Sequence, residues 1–261
     1  MPRSWSVAVA TVALPLLASP SAAPGSVAPE VSPPATAQQD AAWPTPFSVD
    51  ARTLPPASAL RAGTLRVLVL GDSVGAKLGV ALRYRQEGAG AFVAERGVGD
   101  CTLLNREHGC AVAWVSDVAE LRPDVTFLVL GGGFFAGWIV HGKTEHACDL
   151  GWHDAYRARL VELLDAMGPS AGRVVLALVP YPVGTWRSGG LQGQVDCFNE
   201  LLAEVAKVRG LSTVDIARHL CPTEECRMVS DGAPIRPDGL HPDGVGAEET
   251  ARWTLAEIQR R

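Results

Sequence analysis

The sequence predicts an α/β fold, a three-layer α/β/α sandwich around a central parallel sheet. Two observations carry this expectation. Short apolar runs alternate along the chain with longer segments whose apolar residues recur at helical spacing. Strands separated in this way by helices pair in parallel through right-handed crossovers, with helices covering both faces. A length of 261 residues suits one sizeable domain and leaves little room for a second.

The elements follow in order. Thr64 to Leu70, apolar apart from Thr64 and Arg66, reads as a strand buried on both faces over its second half. Val74 to Tyr84 continues as a helix, and Ala91 to Ala94 is a second short strand. Helices are expected over Ala111 to Leu121, Trp152 to Met167, Val195 to Val208 and Gly246 to Ile258, with strands over Asp124 to Leu130, Arg173 to Val179 and Leu211 to Ile216. In such sheets ligands bind beyond the carboxyl ends of the strands. That rule selects Gly71 to Gly75, Gly97 to Cys101, Gly131 to Trp138 and Pro180 to Trp186.

Ahead of this domain, expected over 61–261, lie two segments of other character. Residues 1–23 combine Arg3, an uncharged run from Trp5 to Leu17 and a small-residue stretch from Ala18 to Ala23, the pattern of a cleaved secretory signal. Pro15 and Pro20 interrupt the run, which weighs against the alternative of a retained anchor. Residues 24–60 are rich in proline, alanine and serine and read as a disordered linker, within which Trp43 and Phe47 are candidates for docking on the domain. The expected product is a secreted, extracellular monomer with no stable membrane insertion once the signal is removed.

A formal charge of −5 and a pI near 5.7, with no run of lysine and arginine, give no face for nucleic acid. Six cysteines, an even number, suit an exported protein with three disulfides. Cys101 with Cys110 and Cys221 with Cys226 close short loops, leaving Cys148 with Cys197, although connectivity does not follow from sequence alone. A rival use of Cys148, a metal site with His141, His146 and His153, has ligand types but no recognised zinc spacing, so no metal is expected.

The chemistry centres on Ser73, which the first strand delivers to the mouth of the sheet. A serine nucleophile needs a base, a group orienting that base, and donors for the oxyanion. Near the other end, Asp238 precedes His241 by three residues in a loop bounded by proline and glycine. This spacing lets the carboxylate hold Nδ1–H of its own imidazole and leave Nε2 for Ser73. Asp243 is the rival acid. Asp72 reads as a turn former or helix cap. Trp138 and Trp186 are candidates to stack on a sugar ring, or to pack on their own domain. The stretch GDSVG also spells G-x-S-x-G, but here the serine follows the first strand of the domain, which argues against the α/β-hydrolase elbow.

With Gly71-Asp72-Ser73 after the first strand and Asp238-Gly239-Leu240-His241 near the end, the chain resembles the SGNH (GDSL-type) hydrolases, whose sandwich is flavodoxin-like. The resemblance implies that a glycine after the second strand, best matched by Gly99 with Gly97 as alternative, joins the N–H of Ser73 in the oxyanion hole. It also implies an asparagine after the third strand, where this chain has Gly131-Gly132-Gly133-Phe134. Loss of one donor slows such enzymes by two to three orders of magnitude, roughly 3 kcal/mol, unless the Gly131 to Gly133 loop supplies another amide. More narrowly, the cysteine after the second block, Asn199 in CFNELL, VDIARHLCPTEEC and RPDGLH are similar to the SGNH domains fused behind membrane O-acyltransferases. That likeness implies small acyl esters, acetyl above all, on extracellular glycans as substrates. The chemistry requires no cofactor. A secreted lipase and a catalytically decayed glycan-binding domain are the alternatives.

Overall fold

The structure, a computed structural model, describes residues 53–105, 109–132, 134, 137–140, 142–186 and 190–261. The expected signal segment, most of the expected linker, Trp43, Phe47, Gly133 and His141 lie outside the described residues.

The chain alternates β1 (Leu65–Gly71), α1 (Ser73–Tyr84), β2 (Ala91–Glu95), α2 (Cys110–Leu121) and β3 (Val125–Val129). A hairpin follows, β4 (Trp138–Val140) and β5 (Lys143–Glu145), then α3 (Leu150–Met167), β6 (Arg173–Leu178) and α4 (Leu191–Arg209). The last elements are β7 (Ser212–Asp215), α5 (Ile216–Leu220), the short pair β8 (Val229–Ser230) and β9 (Ala233–Pro234), and α6 (Glu248–Arg260). Strands β2-β1-β3-β6-β7, in that order, form a five-stranded sheet that is parallel throughout. The α/β sandwich expected from the alternation is therefore present, in the flavodoxin-like order.

The two faces of the sheet divide by residue parity, as the twofold period of a strand requires. Val67, Val69, Val125, Phe127, Val129 and Val175 pack against α1, α5 and α6. Leu68, Leu70, Leu128 and Leu176 face α2, α3 and α4. The second face holds the large aromatics. Trp152 stacks on Tyr156 with ring centroids 4.8 Å apart, and Phe198 meets both edge-on at 6.0 and 5.1 Å, an arrangement that satisfies the ring quadrupoles while burying much apolar area.

Several boundaries differ from the sequence expectation for local reasons. The expected strand ending at Ile216 stops at Asp215, because the Asp215 carboxylate accepts the Arg218 N–H at 2.8 Å and caps α5. Leu54, inside the segment read as linker, is 8% exposed and belongs to the core, and Arg66 Nε donates to the Pro55 carbonyl at 3.0 Å. The same guanidinium donates 2.6 Å bonds to the carbonyls of Leu121 and Arg122, which accounts for a charge inside β1.

Three disulfides join Cys101 to Cys110, Cys148 to Cys197 and Cys221 to Cys226. The second ties the segment before α3 to α4. Because the Cys148 sulfur is in that bond, it is not a thiolate ligand for the rival metal cluster.

Candidate active site

The sheet order brings the site together. From β1 the chain crosses to β2 on one side and then to β3 on the other, so β1 and β3 flank a switch point where their following loops diverge. Gly71 opens this crevice. Its φ is +151°, and a Cβ there would fall 1.9 Å from the Val129 carbonyl oxygen, so the turn from β1 into α1 tolerates no side chain. Gly131 is equally confined, since a Cβ would stand 2.6 Å from Val74.

Asp72, 2% exposed, occupies the crevice. Its Oδ1 accepts the N–H groups of Val74 at 2.9 Å and Gly75 at 3.4 Å, while Oδ2 accepts that of Gly132. Burial pushes the carboxyl up to about 6, against the pull of the Gly132, Val74, Gly75 and Gly131 amides. The capping role expected for Asp72 is thus joined by a second one, tying α1 to the loop after β3. With Val74 and Gly75 capped, the N–H of Ser73 at the head of α1 has no acceptor among the described residues.

His241 reaches this serine from the loop before α6. Its Nε2 lies 2.9 Å from Ser73 Oγ, and its Nδ1 lies 2.5 Å from Asp238 Oδ2. The remaining carboxylate oxygen, Oδ1, accepts the backbone N–H groups of Leu240 at 2.9 Å and His241 at 2.8 Å. Desolvation pushes the Asp238 carboxyl up, but hydrogen bonds from the His241 ring and the two amides outweigh it and hold the group below its ordinary value. Asp243, the rival acid, lies instead against Lys77 Nζ at 2.5 Å and accepts the Gly244 N–H at 2.8 Å.

The histidine loop is clamped to the loop after β6. Gly239 has φ +88° and approaches so closely that a Cβ would fall 2.1 Å from the Val183 carbonyl oxygen. Val183 N–H donates to the Gly239 carbonyl at 2.8 Å, and Arg236 Nη1 donates to that of Tyr181 at 2.6 Å. Asn199 fixes the same region from α4, its amide accepting from Val179 N–H at 2.8 Å and donating to Val179 O at 2.9 Å. Trp186, 41% exposed, sits beside Gly239 and hence beside the histidine loop. Trp138 heads β4, and its side chain lies outside what the structure describes.

The two glycines considered for the second block differ in what their amides do. Gly97 N–H donates to Glu95 Oε1 at 2.5 Å, and its α-carbon lies so close to α1 that a Cβ would stand 2.5 Å from Ala76 N. Gly99 is exposed, would have nothing within 4 Å of a Cβ, and its N–H has no acceptor among the described residues. In the loop after β3, Gly132 directs its amide to Asp72, because a carboxylate buried in that crevice requires donors, and Gly133 lies outside the described residues. Sequence reasoning missed Arg236, whose only signal was a charge two residues before Asp238.

No family model matches the chain. A multidomain esterase of Ruminococcus flavefaciens is 25% identical over 145 residues, which are 54% of this chain and 16% of that protein. Among solved structures, a GDSL-like lipase from Bacteroides thetaiotaomicron is 17% identical with a TM-score of 0.53, over 78% of this chain and 93% of the other. A catalytic mutant of an acetylxylan esterase from Geobacillus stearothermophilus is 16% identical with a TM-score of 0.51, over 74% of this chain and 94% of the other. At this low identity, the chain shares the fold of GDSL-like lipases and esterases.

Proposed function

We propose that the protein is an SGNH-type serine ester hydrolase or O-acyl transferase acting on small acyl esters, acetyl first, of extracellular glycans. The observation that carries this reading is the continuous line Ser73 Oγ, His241 Nε2, His241 Nδ1, Asp238 Oδ2, with contacts of 2.9 and 2.5 Å. Ser73 Oγ attacks the acyl carbonyl carbon as its proton passes to His241 Nε2, and the carbonyl electron pair moves onto oxygen. The N–H groups of Ser73 and Gly99 hold that oxyanion. Its collapse breaks the ester C–O bond, and the leaving oxygen takes the proton from His241. Water or a sugar hydroxyl then attacks the acyl-serine, giving its proton to His241, and Ser73 is regenerated.

Asp238 keeps the imidazole in the tautomer that presents a lone pair to Ser73 and stabilises the imidazolium formed in each half-reaction. The choice of substrate is supported by the exposed indole of Trp186 beside the histidine loop, a surface on which a sugar ring stacks. Export, with residues 1–23 removed as a signal and residues 24–60 as a tether, is part of the same proposal; three disulfides support it. No helix among the described residues is long and apolar enough to cross a membrane.

A fluorophosphonate probe tests the reading. Wild-type protein should be labelled and should cleave p-nitrophenyl acetate, and Ser73→Ala should do neither. Wild-type protein that neither labels nor cleaves would leave a non-catalytic glycan-binding domain as the better account. Preference for long over short acyl chains would favour a lipase.

A further inference from the structure

Behind the Ser73–His241 pair lies a cavity of about 20 Å³ that the mechanism does not use. Its walls include Val74, next to Ser73, Leu78 of α1, and Leu240 and Pro242, which flank His241. All the other lining residues are apolar except Arg236 and Thr250. Arg236 is 3% exposed and Thr250 is fully buried. The guanidinium places Nη1 on the Tyr181 carbonyl, but Nε and Nη2 have no acceptor among the described residues, and neither has Thr250 Oγ1 a partner.

Nε and Nη2 form one edge of the guanidinium, the fork that ordinarily grips an anion through two parallel N–H bonds. Burial lowers the group only to about 10, with Asp238 opposing the fall, so the side chain remains a cation at neutral pH. Asp238 acts on it only through space, since no ion pair joins the two among the described residues. A buried cation held by one backbone carbonyl in aliphatic surroundings is strongly unfavourable without a counter-charge.

We propose that this cavity binds one monatomic halide, chloride under natural conditions, between Nε and Nη2 of Arg236 and the hydroxyl of Thr250. The volume admits a particle about the size of one water molecule and excludes carboxylate or phosphate. Water fits the space but brings no charge. A halide supplies both, and braces α6 against the loop that carries His241.

Crystals grown or soaked in sodium bromide test the site directly. An anomalous peak at the bromine edge, touching Arg236 Nε and Nη2, is expected, and weaker occupancy is expected in Thr250→Val. In solution, melting temperature should rise by roughly 3 °C more in chloride or bromide than in sodium gluconate of equal ionic strength, because gluconate is too large to enter. Arg236→Met should abolish that difference; if it does not fold, the wild-type bromide map and Thr250→Val still decide. A cavity without anomalous signal, or equal melting temperatures in gluconate and chloride, would overturn the proposal. Neither readout depends on ester cleavage, so the outcome is independent of the proposed function.

Discussion

Replacing Asp238 by asparagine separates orientation from architecture. In the wild type, Oδ1 accepts two backbone N–H groups, from Leu240 and His241, at 2.9 and 2.8 Å. Only an oxygen satisfies both, so the substituted side chain keeps its carbonyl there and turns its NH₂ toward His241 Nδ1. A donor facing Nδ1 demands that this nitrogen accept, which moves the imidazole proton to Nε2, the atom that lies 2.9 Å from Ser73 Oγ. The base then offers Ser73 a proton instead of a lone pair. A wrong tautomer of this kind lowers kcat by about 10⁴ in fully buried triads. Here the side chains of Asp238 and His241 are 46% and 22% exposed, and water partly rescues the other tautomer. We therefore expect kcat/KM on p-nitrophenyl acetate to fall by about 10³ in Asp238→Asn, on the order of 4 kcal/mol in the barrier. Because both loop hydrogen bonds survive, the melting temperature should change little. Activity within tenfold of wild type at unchanged stability would refute the assignment of Asp238 as the orienting acid.

Other outcomes follow from the same geometry. Gly99→Ala, which keeps the amide and meets no neighbour within 4 Å, should retain activity within about twofold, whereas Gly99→Pro, which removes the N–H, should lower kcat by about 10²–10³; equal activity in both variants would remove Gly99 from the oxyanion hole. Asp72 binds its proton more readily in the folded chain than in the unfolded one, so its contribution to stability is present at low pH and lost as pH rises through about 6. The stability of wild type relative to Asp72→Asn, from urea midpoints, should accordingly grow by about 1 kcal/mol from pH 7 to pH 5, and a flat or falling difference would contradict the burial effect. Removing the disulfide that closes a 49-residue separation, with Cys148→Ala and Cys197→Ala together, should cost up to about 4 kcal/mol and lower the melting temperature by roughly 10 °C, measured by calorimetry.

What could be read in advance, and what could not, divides along physical lines. The run Val67 to Leu70 announces a strand buried on both faces because no polar residue interrupts it, and the residues after it then fall at the sheet's carboxyl edge. The approach of His241 to Ser73 follows from residue chemistry, since a serine at that edge has use for few other side chains. The short hairpin over Trp138 to Glu145 is not visible in the sequence, because Lys143, Thr144 and Glu145 are polar and mostly exposed and show no buried alternation. Arg236 escapes notice because a charge beside proline and aspartate reads as solvated; its burial depends on the Tyr181 carbonyl, 55 residues away in sequence. Asn199 stands out only by resemblance, and its use is likewise a contact with distant backbone at Val179.

The glycines after β3 bear on the most consequential departure from the SGNH pattern. Asp72 accepts the amides of Val74 and Gly75 from one side and that of Gly132 from the other, so the β3 side of the crevice faces a buried carboxylate. Among the described residues, Ser73 N–H at the head of α1 and Gly99 N–H after β2 have no acceptor, and these are the donors proposed for the oxyanion. Ionisation of Asp72 above about pH 6 places a negative charge on the residue next to Ser73, and the capping amides screen it. In the proposed mechanism an ionised Asp72 opposes the developing oxyanion.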